Sequence, residues 1–380
     1  MPGLLSNVDP DGLLEYSVVY TDRALNHMSR SFQSVMRDIS DSLKEVYNAR
    51  AVVVVPGSGT FGMEAVARQF ATDQRCLVIR NGWFSYRWTQ ILETGGIADS
   101  EIVLKARPIS SEPQAPFSPA PIDDVVATIE SERPAVVFAP HVETSAGMML
   151  RDDYLRRVGE AVRAVGGLFV LDCIASGTVW VDMEETEVDV LISAPQKGWS
   201  GSPCCGLVML GDRALARLDS TTSTSFACDL KKWRQIMQAY EGGGHAYHAT
   251  MPTDALRSFA EVVDETRKVG FEEVKDRQLE LGRRVRSLLE RDGFPSVAAE
   301  GFQAPGVVVS YTQDPEIASG QKFAEVGLQI AAGVPLQCDE PEDFRTFRIG
   351  LFGLDKLKNV DRTVQTFENA LERMRAPTPS

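Results

Sequence analysis

No cysteine of this chain stands in a CxxC pair, and none has a pair of histidines beside it. The six cysteines fall at 76, 173, 204, 205, 228 and 338, a scatter that argues against a metal site and against a disulfide framework and fits a reducing compartment. No uninterrupted apolar stretch reaches the roughly 18 residues that a membrane-spanning helix needs. The first residues, MPGLLSNVDPDGLLEY, hold no basic stretch ahead of an apolar run, so no secretory signal is expected, and the final APTPS is not a peroxisomal address. Positive charge is short as well. The 39 Lys and Arg against 53 Asp and Glu leave a net charge of −14, which repels nucleic-acid phosphates and anionic lipid. The expectation is a cytoplasmic protein that binds neither nucleic acid nor membrane and holds any anionic ligand by local means.

What is present is the material of an ordinary globular protein, with 43% hydrophobic and 24% charged residues. A chain of 380 residues is too long for one small core and favours two domains, or one large domain with an appendage. Between about 51 and 210, short apolar runs alternate with longer amphipathic stretches. The runs are AVVVV (51–55), CLVI (76–79), EIVL (101–104), AVVFA (135–139), GLFVLD (167–172), DVLIS (189–193) and GLVML (206–210). Continuous runs rich in Val and Ile suit strands buried on both faces, and the intervals are long enough for crossover helices. The predicted fold class is therefore α/β, with a mostly parallel sheet covered by helices. A charged, helix-favouring stretch over 254–291 leads away from it, and VVVSY (307–311) and FRIGLFG (347–353) then alternate with helical segments to outline a smaller C-terminal α+β domain. The expected division is an N-terminal arm over 1–25, a large domain over 26–262 and a small domain over 263–380. The Pro- and Ser-rich SSEPQAPFSPAP reads as a surface connection.

In a parallel sheet, ligands bind beyond the carboxyl ends of the strands, so residues that follow the apolar runs are candidates. PGSGTFGMEA (56–65) opens a helical stretch, where small residues admit a ligand close to the backbone and free amides favour an anion. The same stretch matches GxGxxG at Gly57, Gly59 and Gly62, which raises a dinucleotide-binding alternative. The next strand would then end in an acid for the ribose; here Arg80 and Asn81 stand, and the arginine would suit a 2′-phosphate. Asp172 closes the strand GLFVLD and could pair with a protonated ring nitrogen. Lys197 in SAPQKGWSG follows the next strand, and an amine partly removed from water is biased to its neutral, nucleophilic form. Together they supply the three groups that pyridoxal phosphate needs: an amine for its aldehyde, a carboxylate for its pyridine nitrogen and amides for its phosphate. The dinucleotide alternative uses neither Asp172 nor Lys197. Arg348 in FRIGLFG could grip a carboxylate at two points.

GSGTFGMEA, NGWFSYRW, HVETSAG, LDCIASG, SAPQKGW, YHAT and FRIGLFG follow one another along the chain. In that order they resemble the class V aminotransferases of pyridoxal-phosphate fold type I, in particular the alanine–glyoxylate and serine–glyoxylate branch, from about residue 26 to the C-terminal helix. The resemblance implies that Lys197 carries the cofactor as a Schiff base and that Asp172 keeps the pyridine nitrogen protonated. It implies that Ile174 packs under the ring and that Phe84, or Trp83 beside it, stacks on the other face. Gly59, Thr60 and Gln196 match the phosphate cup, and Thr144 matches a hydroxyl near the pyridine oxygen. Tyr247 and Thr250 resemble a pair that reaches the phosphate of a neighbouring subunit, which implies a homodimer with shared sites. Arg348 is the implied substrate-carboxylate residue. The implied activity is amino transfer between a small amino acid and a 2-keto acid such as glyoxylate or pyruvate, with a lyase or decarboxylase on the same fold as the alternative. The family's N-terminal Pro-Gly-Pro segment is absent, and SNVDPDGLLEYSVVYTDRALNH stands in its place.

Overall fold

The computed structural model describes residues 13–375, so the start of the expected N-terminal arm and the APTPS tail lie outside the described residues. Each of the seven apolar runs forms a strand of one sheet. These are β1 (Ala51–Pro56), β2 (Arg75–Arg80), β3 (Ser100–Lys105), β4 (Val136–Pro140), β5 (Leu168–Asp172), β6 (Val190–Ser193) and β7 (Cys205–Leu210). Across the sheet they run β1-β7-β6-β5-β4-β2-β3, and only β7 is antiparallel to its neighbours. Strands β4 to β7 are buried along their whole length, which is why their sequences lack the in–out alternation of a half-exposed strand.

Helices form where apolar residues recur every three or four positions. In α1 (Arg30–Tyr47) the buried face runs Phe32, Met36, Ile39, Leu43, Tyr47. The Ser29 hydroxyl caps its start by accepting from the Phe32 N–H at 3.1 Å. Helix α2 (Gly59–Phe70) follows β1 directly, and α3 (Trp83–Gly95) follows β2. The charged stretch over 254–291 is two helices, Thr253–Val269 and Phe271–Arg291, rather than one. The break falls at Gly270, whose φ of 106° lies in a region that side-chain-bearing residues rarely adopt.

Beyond these helices, β8 (Val307–Tyr311), β9 (Ala331–Ala332) and β10 (Thr346–Gly350) make a separate antiparallel sheet in the order β8-β10-β9. Arg348 sits on its middle strand, opposite Val309 on one side and Ala331 on the other. A second apolar cluster that includes Phe117, Val142, Met148, Val309 and Tyr311 joins this sheet to the loops that follow β3 and β4. SSEPQAPFSPAP runs over the surface only in its first half. From Ala115 on it is anchored, with Phe117 buried and donating its N–H to the Val297 carbonyl at 2.7 Å, and the Tyr311 hydroxyl donating to the Ala115 carbonyl at 2.8 Å.

Candidate active site

The strand directions put the carboxyl ends of β1, β2, β4, β5 and β6 on one edge of the sheet. A cavity of about 180 Å³ opens there. Gly59 and Thr60, from the first turn of α2, line it together with Phe84 from the start of α3. Thr144, Asp172, Ile174, Gln196 and Lys197 line it from the segments that follow β4, β5 and β6. Eight residues singled out in the sequence are thus gathered from five stretches of chain.

Three others lie elsewhere. Arg348 approaches from the C-terminal sheet, with its guanidinium carbon 5.5 Å from the Phe84 ring centroid and its Nε donating to the Ala332 carbonyl at 2.8 Å. Tyr247 and Thr250 touch each other at 3.2 Å between their hydroxyl oxygens but are exposed and do not line the cavity of their own chain. Trp199, two residues after the lysine, is turned into the core, where its ring meets Trp180 and Phe271 at 4.6 and 6.2 Å. That aromatic contact anchors the lysine loop from behind.

Burial sets the electrostatics. The Asp172 carboxyl is pushed up to about 6 by burial and by the Glu143 charge, against the Ile174 N–H it accepts at 2.9 Å and the positive charges of Arg87 and Lys197. The Lys197 amine is held below the usual lysine range, first by burial and then by the Arg348 and Arg87 guanidinium groups, while Asp172 opposes the shift. His141, whose ring nitrogen lies 2.7 Å from the Ser176 hydroxyl, is pushed down to about 4 by burial and stays neutral. The cavity therefore offers a nucleophilic amine and a carboxylate that is costly to ionise without a cation.

Neither Arg87 nor Glu143 stands out in the sequence alone, yet both shape the site. Arg87 lines the cavity, and its guanidinium carbon lies 5.3 Å from the Phe84 ring centroid. The signal for it is helical spacing, because a residue three positions after Phe84 shares its helix face. Glu143 is fully buried and accepts from the backbone nitrogens of Phe84, Ser85 and Ser145 at 3.2, 2.8 and 3.0 Å. No local pattern announces it, since two of those donors come from the first turn of α3, far along the chain.

The dinucleotide alternative is not supported by the geometry. Arg80, the residue it needs for a 2′-phosphate, is buried, donates to the Thr89 hydroxyl at 2.7 Å and lies 4.6 Å from the Tyr86 ring centroid.

No protein-family model matches the chain. It is 28% identical over 354 residues to a 2-aminoethylphosphonate–pyruvate transaminase of Syntrophobacter fumaroxidans, covering 90% of each chain. It is 26% identical over 313 residues to alanine–glyoxylate aminotransferase 1 of Saccharomyces cerevisiae, covering 77% of this chain and 78% of that one. Among solved structures it superposes on an alanine–glyoxylate aminotransferase from Nostoc sp. with a TM-score of 0.77 and 21% identity, over 92% of this chain and 88% of that one. The fold is that of the type I pyridoxal-phosphate enzymes. The two relatives named above are aminotransferases, in keeping with the resemblance to the class V, alanine–glyoxylate-like branch read from the sequence.

Proposed function

We propose that the chain is a pyridoxal-phosphate-dependent aminotransferase that moves an amino group between a small acid-bearing amine and a 2-keto acid such as pyruvate or glyoxylate. The observation that carries it is the meeting of Lys197, Asp172 and the start of α2 around one cavity, in a chain whose relatives include transaminases acting on pyruvate and glyoxylate.

The residues present suit the cofactor. A Cβ at position 59 would lie 2.6 Å from Ile174 Cδ1, so a larger residue at the start of α2 would have to displace the Ile174 side chain that lines the cavity. Gln196 Oε1 is buried without a hydrogen-bond partner among the described residues. Asp172 carries a buried carboxyl that a protonated pyridine nitrogen would match. Gly59, Thr60 and Gln196 would hold the phosphate, Phe84 and Ile174 the two ring faces, and Thr144 the ring oxygen. When bound, the cofactor supplies an electron sink for the carbon that bears the amino group.

Lys197 would hold the cofactor through its aldehyde and, once displaced by the incoming amine, would take the proton from the donor's amino-bearing carbon and deliver one to the corresponding carbon of the acceptor. Burial and the Arg348 and Arg87 charges lower the Lys197 pKa and so bias the amine toward its neutral form. Arg348 grips the acid group of donor and acceptor in turn. Buried Asp172 and half-buried Ile174 would exclude water from one side of the ring. Tyr247 and Thr250 serve the site of a second copy, which makes the working unit a homodimer; their exposure away from their own cavity supports this. The antiparallel sheet β8-β10-β9, within the small domain expected over 263–380, carries Arg348. Among the described residues no helix is long and apolar enough to cross a membrane, and the excess of acidic residues disfavours nucleic-acid partners.

The test is a mass-spectrometric panel in which alanine, serine, aspartate and 2-aminoethylphosphonate are each offered with glyoxylate, pyruvate and 2-oxoglutarate. At least one pairing should yield a new amino acid in step with loss of the donor amine. Release of ammonia or carbon dioxide without a new amino acid would replace transfer by elimination or decarboxylation.

A further inference from the structure

Lys197 and Asp172 do not exhaust the charge in the cavity. Arg87 lies one helical turn beyond Phe84, and its Nη1 donates to the Thr60 hydroxyl at 3.2 Å. Thr60 belongs to the first turn of α2, whose preceding residue Ser58 makes no side-chain capping bond. The site thus brings together a helix N-terminus, a hydroxyl and a guanidinium. Among the described residues no carboxylate forms an ion pair with Arg87. Its charge faces inward, since it lowers the pKa of both Asp172 and Lys197.

We propose that Arg87 is the fixed positive charge that holds the phosphate of the cofactor, acting through and beside Thr60 at the start of α2. This rests on the functional reading above and deepens it. A phosphate monoester brings nearly two negative charges, and a helix N-terminus offers the equivalent of only about half a positive one. In a chain of net charge −14 the remainder has to be met by a nearby cation. The planar fork of arginine matches phosphate oxygens, and the Thr60 hydroxyl can accept from Arg87 while donating to the ligand. The two arginines against Phe84 then divide two anions: Arg87, at α2, takes the cofactor's phosphate, and Arg348, on β10, takes the substrate's acid group.

The experiment titrates cofactor-free wild type, Arg87→Lys and Arg87→Gln with pyridoxal 5′-phosphate and, separately, with pyridoxal, which lacks the phosphate. Arg87→Gln should weaken binding of the phosphorylated aldehyde by about tenfold to a hundredfold, the worth of one charge-assisted hydrogen bond, and Arg87→Lys by less. Pyridoxal should bind all three within about threefold. Inorganic phosphate should compete with the phosphorylated aldehyde in wild type and lose most of that effect in Arg87→Gln. Should Arg87→Gln fail to fold, as judged by circular dichroism, the Lys variant carries the comparison. Equal loss of both aldehydes would make Arg87 a support for Phe84 and overturn the proposal. Unchanged cofactor binding with a raised KM for donor or acceptor would make it a substrate anchor instead, also overturning it. A wild type that binds neither aldehyde would overturn the functional reading itself.

Discussion

The Glu143 carboxylate accepts from both the backbone N–H and the hydroxyl of Ser85, at 2.8 and 2.7 Å. It does for α3 what a capping side chain does from within a helix, but from the loop after β4. The same carboxylate takes the Phe84 N–H and the Ser145 hydroxyl, so the aromatic ring of the cavity and the loop that bears Thr144 are fixed to one buried charge. In Glu143→Gln an amide NH₂ must face N–H donors that it cannot bond. Leaving one of them unsatisfied costs about 1–3 kcal/mol. We expect a matching fall in the unfolding free energy and a weaker circular-dichroism band of the bound cofactor, because the Phe84 ring is no longer held. Wild-type values for both would remove Glu143 from the architecture of the site.

The apo protein should become less stable as pH rises from about 4 to 6. A carboxyl whose pKa climbs from its ordinary 3.8 to about 6 on folding binds its proton more tightly in the native state. In that window the native chain holds more protons than the unfolded one, so stability falls with pH, by up to about 3 kcal/mol above pH 6. Asp172→Asn removes this slope, and the variant should be the more stable apo protein at pH 8 in chemical denaturation. Its loaded form should nevertheless turn over about a hundredfold or more slowly, since a neutral amide cannot keep the ring nitrogen protonated. Equal slopes in the two apo proteins would mean that Asp172 is solvated and in no need of a cation.

The fold was legible because its strands are buried on both faces. Runs such as AVVFA, GLFVLD and DVLIS carry the apolar signal without interruption; the chemistry-bearing Asp172 closes one of them, and Lys197 lies in the loop after another. Arg348 was visible as an arginine in an apolar strand, but its approach to Phe84 depends on how the C-terminal sheet docks through Val142, Val309 and Tyr311. Glu143 was hidden because its partner Ser85 lies far along the chain; helical spacing puts Arg87 on the face of Phe84, but no local periodicity records its bond to Thr60. Gly270 shows the converse. A single residue with positive φ divides a stretch whose composition is helical throughout.

Lys197→Ala should bind cofactor without a covalent link and lose nearly all turnover. In wild type, borohydride reduction followed by peptide mapping should leave the cofactor on the peptide that contains Lys197. Recovery of the reduced cofactor on any other lysine would place the chemistry elsewhere.

Mixed dimers test Tyr247 and Thr250. If both serve the partner's cavity, Lys197→Ala combined with Tyr247→Phe/Thr250→Ala should restore one intact site per mixed dimer. Each variant alone should be inactive or strongly impaired. Restored activity after verified subunit exchange is the expected outcome; its absence would return the two hydroxyls to a purely local role.

Arg348 affects the site in two ways that substitution can separate. Its Nε is committed to the Ala332 carbonyl, which leaves the terminal nitrogens of the fork for an acid group. Arg348→Lys keeps the charge and loses the planar two-point grip, so kcat/KM should fall by about tenfold to a hundredfold for donor and acceptor alike. Both should fall together, because each half-reaction presents an acid group to the same residue. The charge acts on Lys197 as well, being the largest influence after burial that lowers its pKa. Removing it in Arg348→Gln should raise the Lys197 pKa, so the rate at which added cofactor condenses with the apo protein should reach its half-maximum at a higher pH than in wild type. Arg348→Lys should leave that midpoint near the wild-type value while still losing kcat/KM. If the midpoint moves equally in both variants, the shift comes from altered packing around Phe84 and not from the charge.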